Sequence, residues 1–310
     1  MSPERVEVEI DGHTLSLSNL DKVLYPEVGF TKAEVIDYYA RVAPVMLPHI
    51  ADRGVTLRRF PDGVGSVGFF EKRCPSHRPD FVGTCEGPGD RSGGIGYCRL
   101  DSPAALAWAA NMAALEIHAP MARCGDIDSP ATLVFDLDPG APATITECCV
   151  VALAIREVLG AVGLVGWPKT SGSKGLQLYV PLNTPHTHDH ASSFALALAQ
   201  LLEKQRPGDV TATMAKAARP GKVFIDWSQN SRHKTTVAPY SLRAKDRPTV
   251  STPLRWEEVE AGAAGDPLVF EAADVVDRVE ALGDLFAEVV TFEQSLPRPD
   301  GSGAPSGEGG

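Results

Sequence analysis

Apolar and polar positions alternate over residues 5–25, with Val6, Val8 and Ile10 and then Leu15 and Leu17 two apart, a pattern that predicts one or two short strands. Thr31-Lys-Ala-Glu has the spacing of a capping box, in which a hydroxyl and a carboxylate satisfy each other's backbone N–H groups. A helix should therefore open at Thr31 and run to about Val42. Residues 55–72 read as a hairpin around Pro61-Asp62-Gly63, and the Gly- and Pro-rich stretch 74–96 as a long surface loop. An Ala-rich helix over 103–116, a strand over 132–138 and an apolar helix over 144–160 follow. Beyond them come a strand at 176–180, a helix at 190–205, a strand at 222–227, and helical periodicity with an acidic face over 271–295. The class is mixed α/β. Residues 297–310 are Pro, Gly, Ser and acid with almost nothing to bury, which predicts a disordered tail. No repeat or linker divides 1–296, which reads as one catalytic domain, with room for two subregions flanking a cleft.

Apolar residues make up 43% of the 310, and the longest apolar stretches, such as 104–110 and 148–155, fall short of the roughly 18 needed to span a bilayer. The N-terminus has no apolar leader region, so a cytoplasmic chain is expected. In that compartment the six cysteines should be reduced thiols, with Cys148 and Cys149 in a helix core. Cys74 and His77 make a C-x2-H pair, with Cys85 and Cys98 further on; a structural zinc usually takes two tight pairs and only one is present.

The net charge of −11 argues against nucleic acid until its distribution is considered. Thirteen acidic residues lie after Arg255 outside the first 256 residues, against only Arg278 and Arg298, so the first 256 are neutral overall. Within these, residues 216–245 carry Lys216, Arg219, Lys222, Arg232, Lys234, Arg243 and Lys245 against one acid, Asp226. Such a run is either a solvated loop or an anion-binding surface.

Chemistry concentrates in three segments. Leu133-Val-Phe-Asp-Leu-Asp-Pro-Gly places Asp136 and Asp138 on one face of a strand whose other face is apolar. Paired carboxylates repel in a half-buried setting and a divalent cation removes that cost, although D-x-D before a turn also serves simple turn chemistry. Lys222-Val-Phe-Ile-Asp-Trp-Ser adds Asp226, with Phe224 and Ser228 expected on its face. Three carboxylates can hold two cations about 4 Å apart for in-line displacement at phosphorus, Asp226 lying nearer the attacking hydroxyl. Thr170-Ser-Gly-Ser-Lys-Gly-Leu is a small-residue turn that can form an anion nest with Lys174 beside it, or an ordinary βα loop. Phe69-Phe70 reads as core or as a base-stacking pair, and His118 follows the 103–116 helix.

In this order the segments resemble the archaeo-eukaryotic primase superfamily, most closely the polymerase domain of bacterial ligase D (LigD) and its relatives, the bacterial primase-polymerases, over about residues 14–256. The resemblance rests on the two motifs around Asp136 and Lys174, on Val223-Phe-Ile-Asp-Trp-Ser-Gln-Asn, and on Lys234-Thr-Thr-Val-Ala-Pro-Tyr-Ser-Leu-Arg. It implies a nucleotidyltransferase that uses two manganese or magnesium ions on Asp136, Asp138 and Asp226 and extends a primer, often with ribonucleotides. It further implies that Ser171, Lys174 and His118 contact the incoming NTP or dNTP, with Arg58, Gln229 and Arg243 nearby, and that Phe69 and Phe70 stack on template or incoming base. Asn19, Lys22 and Lys32 match the family's pocket for a downstream 5′-phosphate, which points to gapped or broken DNA, and Arg219, beside Lys216, matches a primer-strand contact. Arg58 stands where relatives can carry lysine, and Gln177 occupies the place of the histidine in S-G-x-K-G-x-H. The segment between His118 and Asp136 is short. No K-x-D-G motif of a nucleotidyl-lysine ligase occurs, so sealing is expected from a separate DNA ligase, with an end-binding protein as a further partner. A non-catalytic module that bridges ends through the 5′-phosphate, and a metal-dependent phosphohydrolase, are the competing readings.

Overall fold

A computed structural model describes residues 5–89 and 93–297. The chain opens with the hairpins β1 (Arg5–Ile10)/β2 (His13–Ser18) and β3 (Val23–Tyr25)/β4 (Phe30–Thr31), then helix α1 (Lys32–Ile50). Strands β5 (Thr56–Arg59) and β6 (Phe69–Glu71), hairpin β7 (Thr84–Gly87)/β8 (Ile95–Cys98), helix α2 (Pro103–Asn111) and strand β9 (Ala114–Pro120) follow. After hairpin β10 (Ala122–Arg123)/β11 (Asp126–Pro130) come β12 (Thr132–Pro139), α3 (Ile145–Ala161), β13 (Trp167–Thr170) and β14 (Leu176–Pro181). The remainder is α4 (His188–Gln205), β15 (Val210–Thr211), β16 (Val223–Asp226), β17 (Thr235–Val237), α5 (Trp256–Ala263) and α6 (Ala272–Leu282).

Two sheets, each with its own core, form the body. The order β17-β9-β5-β6 builds one, with α1 and α2 supplying Val35, Tyr39, Met46 and Leu106 to its core. The order β13-β14-β12-β16-β15 builds the other, and α3 and α4 cover one of its faces. The expected alternation in β12 holds: Leu133, Phe135 and Leu137 are fully buried in the helical core, which leaves Asp136 and Asp138 on the opposite face.

Several expectations are corrected. The capping box at Thr31 is present, but α1 continues through Pro44 and Pro48 to Ile50, because its apolar face extends to Met46 and Ile50. The helix over 103–116 stops at Asn111, Ala113 turns with φ 57°, and Leu115 and Ile117 enter β9, so His118 lies in a strand. The stretch 74–96 contains a hairpin, and α6 ends at Leu282 before Gly283 with φ 68°. Trp227 opens a 3-10 turn rather than extending β16, which takes Ser228 out of the strand pattern. Reduced thiols are not what four cysteines show: Cys74–Cys98 and Cys85–Cys124 are disulfides, with Cα separations of 4.7 and 5.7 Å. The pairing uses Cys74, Cys85 and Cys98, so no thiolate remains there for zinc. Cys148 and Cys149 are free and buried in α3 as expected. Among the described residues no helix is long and apolar enough to cross a membrane. The tail expected over 297–310 lies outside the described residues apart from Pro297.

The sheets meet at β17. Tyr179 Oη on β14 lies 2.6 Å from Thr236 Oγ1, and Lys169 Nζ on β13 donates to the Val237 carbonyl at 3.0 Å. Asn230 ties the link before β17 to β12. Its Oδ1 accepts from Val134 N (2.8 Å) and its Nδ2 donates to the carbonyls of Val134 (2.9 Å) and Trp227 (3.0 Å), replacing the ladder that β16 stops providing after Asp226. Asn230→Leu leaves both Val134 backbone groups buried without partners, and should lower unfolding free energy by roughly 2–4 kcal/mol. Urea denaturation reads this directly; an unchanged midpoint would show that the contact carries no stability.

Candidate active site

The antiparallel register of β12 and β16 sets Asp136 opposite Asp226, and Asp138 opposite Phe224. Three carboxylates thus share one end of one sheet face. Asp136 Oδ1 accepts from Gln177 Nε2 at 3.0 Å and Oδ2 from Gln229 Nε2 at 3.3 Å. Asp226 Oδ1 accepts from the backbone N–H (3.0 Å) and hydroxyl (2.6 Å) of Ser228. Burial, and then the charges of Asp138 and Asp226, push the Asp136 carboxyl up to about 7, with the Gln177 amide opposing. Asp138 is raised too, by burial and then by Asp226. Among the described residues no three His, Cys, Asp or Glu side chains converge closely enough to hold a metal ion between them. The oxygen-only donor set suits a hard divalent cation, and a nearby cation would offset both the burial and the repulsion that raise Asp136.

One strand beyond Gln177, on the same sheet face, lies a residue that sequence reasoning missed. Lys169 is fully buried, and its ammonium donates to Gln177 Oε1 (2.6 Å), Ser251 Oγ (2.5 Å) and the Val237 carbonyl (3.0 Å). Lys169 thereby fixes the Gln177 amide with its oxygen inward and its N–H groups toward Asp136. Burial drives Lys169 well below the ordinary lysine range, and Asp136 opposes that shift. Gln177, at the place of the motif histidine, is therefore a neutral donor to a carboxylate.

A second missed residue organises the cationic pocket. Glu116 is fully buried on β9; Oε1 accepts from Arg58 Nη1 (2.9 Å) and Ala244 N (3.0 Å) and lies 3.4 Å from Arg243 Nε, while Oε2 meets His118 Nε2 at 2.8 Å. Although burial acts to raise it, the His118 hydrogen bond and the Arg243 charge hold Glu116 well below the usual carboxylate range. Period-two spacing from His118 is the signal that could have revealed it, once 114–120 is read as a strand. Arg58 lies over the rings of Phe60 (4.9 Å) and Phe70 (5.3 Å), and Phe70 meets the His118 ring edge-on at 5.7 Å. Arg243 Nη1 donates to the Ser171 carbonyl, which joins this pocket to the Thr170-Ser-Gly-Ser-Lys-Gly turn. In that turn Ser171 Oγ already takes the N–H groups of Ser173 (3.2 Å) and Gly175 (3.1 Å). Those two groups are not free for an anion, and the turn presents the exposed Lys174 instead. Gly172 makes the turn possible: its φ is +65°, and an added Cβ would lie 2.6 Å from the Val250 carbonyl carbon.

Buried polar atoms without partners mark the same region. Arg58 Nε, Arg219 Nε, Gln229 Oε1 and Arg243 Nε have no hydrogen-bond partner among the described residues, as is also true of Thr56 Oγ1 and Arg99 Nε, and Arg243 Nε has only its 3.4 Å ion pair with Glu116. Such groups point to a ligand or solvent that completes them. Arg219 lies over the Phe224 ring at 3.8 Å and donates to the Met214 carbonyl at 2.9 Å. Lys216 is exposed on the same loop, which Gly221 N ties to the Gly140 carbonyl at 2.9 Å, just past Asp138.

The structure separates the two phenylalanines. Register pairs Arg58 with Phe70 and Arg59 with Phe69, and Arg59 lies over Phe69 at 5.3 Å, so the aromatics serve different pockets. Asn19, Lys22 and Lys32 come together, and with Arg59, another missed residue, they line an open cavity of about 320 Å³. Lys22 Nζ pairs with Asp62 at 2.8 Å, and Lys32 Nζ donates to the Ser18 carbonyl at 2.6 Å. Burial, then the charges of Lys22 and Arg59, push Lys32 down to about 8.

Comparison with known proteins agrees with this geometry. The family model described as "LigD, primase-polymerase domain" matches residues 31–286. The chain is 48% identical over 279 residues to the multifunctional non-homologous end joining protein LigD of Mycolicibacterium smegmatis, covering 87% of this chain and 35% of that protein. It is 31% identical over 284 residues to the bifunctional non-homologous end joining protein LigD of Bacillus subtilis, covering 91% and 45%. The chain thus spans less than half the length of these curated relatives. It resembles the polymerase domain from Mycobacterium tuberculosis ligase D, solved in complex with DNA, with a TM-score of 0.84 and 42% identity over 90% of this chain and 99% of that one. With three carboxylates on a sheet end beside a cationic pocket, and with this coverage of sequence and structure, the chain belongs to the LigD primase-polymerase domain family.

Proposed function

We propose that the chain is a template-directed polymerase that fills short gaps at DNA ends during repair, with ribonucleotides preferred, and that the body over residues 1–296 acts as one catalytic unit. One observation carries this reading: the carboxylates of Asp136, Asp138 and Asp226 sit beside a pocket in which Arg58 Nε, Arg243 Nε and Gln229 Oε1 are buried without a hydrogen-bond partner among the described residues. Asp136, Asp138 and Asp226 would hold two manganese or magnesium ions. When bound, these supply Lewis-acid stabilisation of charge at the transferred phosphoryl group. The primer 3′-hydroxyl gives its proton to solvent as its oxygen attacks the α-phosphorus, the new P–O bond forms, and the bond from the α-phosphorus to the bridging oxygen breaks, so that pyrophosphate leaves with its electrons. Arg58, His118 and Arg243 neutralise the triphosphate, with Ser171 and Lys174 at its edge and Gln229 near the reacting end. Phe70 stacks on a base beside this pocket and Phe69 on one beside the other, while Lys216 and Arg219 take the primer-strand backbone. Asn19, Lys22 and Lys32 take the downstream 5′-phosphate. The reading includes a cytoplasmic, nucleoid-associated protein working with a separate DNA ligase and an end-binding protein.

Primer extension on a 5′-phosphorylated short-gap DNA with manganese tests the activity. Templated incorporation should occur, ribonucleotides should outcompete deoxynucleotides, and Asp136→Ala should abolish it. Tight gap binding without any incorporation would favour an end-binding module, and release of free phosphate a phosphohydrolase.

The metal reading has a separate thermal test. A carboxyl raised to about 7 binds protons in the fold that the unfolded chain has released, so this group's contribution to metal-free stability should fall as pH rises from about 4 to about 7. Manganese should raise the melting temperature more at pH 8 than at pH 5. Asp136→Asn should melt higher than wild type at pH 8 without metal and lose most of the manganese response. An undiminished response in that variant would contradict the metal assignment.

For the 5′-phosphate pocket, binding to gapped DNA should weaken when the phosphate is removed, and Lys22→Ala should erase the difference while lowering the salt slope by about one unit. Equal affinity of wild type for both ends would refute the pocket.

A further inference from the structure

His118 faces Glu116 with one ring nitrogen and leaves the other unused. Its Nε2 lies 2.8 Å from Glu116 Oε2, and Glu116 is a buried carboxylate held ionised by the groups around it. An ionised carboxylate only accepts, so Nε2 carries the hydrogen and the tautomer is fixed. Among the described residues nothing hydrogen-bonds Nδ1. In a neutral ring Nδ1 is then a bare lone pair, which cannot donate to a phosphate oxygen.

The charges around the ring set its protonation. Glu116 stands on its own strand, Arg58 comes from β5, and Arg243 comes from the segment after β17, with Lys245 two residues on. β6 contributes only the Phe70 ring, and β17 no charged side chain. Without a ligand, burial and the two guanidinium groups push His118 below the usual histidine range, while Glu116 opposes them. A triphosphate reverses this balance: it neutralises Arg58 and Arg243 and puts acceptor oxygens where a second N–H is useful.

We propose that His118 takes up one proton from solvent at Nδ1 when the nucleotide's phosphates enter the pocket, and donates that Nδ1–H to a phosphate oxygen while Glu116 keeps Nε2–H. This rests on the nucleotide-binding reading above. Glu116 acts as a positioning residue: it fixes the tautomer, holds the ring against Arg58 and Arg243, and balances the imidazolium. Nucleotide affinity and proton uptake are thereby linked.

The direct test is a ring-nitrogen NMR spectrum of the histidine-labelled protein with magnesium at pH 7.5, with and without saturating ATP. The expected result is a neutral His118 with Nε2–H in the free protein and a doubly protonated ring with ATP bound. Calorimetric titration with ATP in buffers of different ionisation enthalpy should then show about one more proton taken up by wild type than by His118→Gln. Glu116→Gln should remove most of that uptake and weaken ATP binding. A His118 that stays neutral with ATP bound would overturn the proposal while leaving nucleotide binding intact. Failure of ATP to bind at all would overturn both. Equal proton uptake in wild type and His118→Gln, with both binding ATP, would contradict it as well.

Discussion

Asp136 and Asp226 face each other across a single antiparallel register pair, with Asp138 one step along, and much of the architecture around them follows from keeping that arrangement folded. Burial, and then the neighbouring carboxylate charges, favour the protonated form of Asp136, whose carboxyl rises to about 7. The surrounding groups oppose this by donating hydrogen bonds: Gln177 and Gln229 to Asp136, and Ser228 to Asp226. These donors are themselves anchored. Lys169, the cross-strand neighbour of Gln177 on the same sheet face, sets the orientation of its amide, and Asn230 clamps the turn that carries Ser228 and Gln229 onto β12. The junction between the two sheets thus doubles as the support for the carboxylates.

The β5–β6 hairpin organises the opposite wall. Successive side chains of a strand point to opposite faces, so Arg58 with Phe70 serves the pocket around Glu116, and Arg59 with Phe69 the cavity that holds Lys22 and Lys32. Each pocket pairs an arginine with an aromatic ring, the combination that binds a phosphate and a base together. On the function proposed above, one short hairpin would couple the position of an incoming nucleotide to that of a downstream 5′-phosphate, which would give a physical basis for preferring short gaps.

Period two in an apolar strand made Asp136, Asp138 and Asp226 legible in the sequence, because only the burial alternation had to be read. The capping box of α1 was legible from a different local signal, the spacing of Thr31 and Glu34. Glu116 was hidden because the Ala-rich run before it reads as helix, and a helix register does not place it beside His118. Lys169 was invisible for another reason: its three partners lie 8, 68 and 82 residues away, and a buried ammonium is recognised only from the groups that satisfy it. The cysteine pairing likewise depends on which hairpins bring Cα atoms together, which spacing along the chain does not encode.

The central claim is that the three aspartates form one cation site facing the nucleotide pocket. Anomalous diffraction at the manganese edge, from crystals soaked with manganese and a non-hydrolysable nucleoside triphosphate, tests it most directly. The account predicts two anomalous peaks bounded by Asp136, Asp138 and Asp226, with the triphosphate reaching Arg58, His118 and Arg243. A bound triphosphate with no peak at these carboxylates, or with manganese held elsewhere, would contradict it.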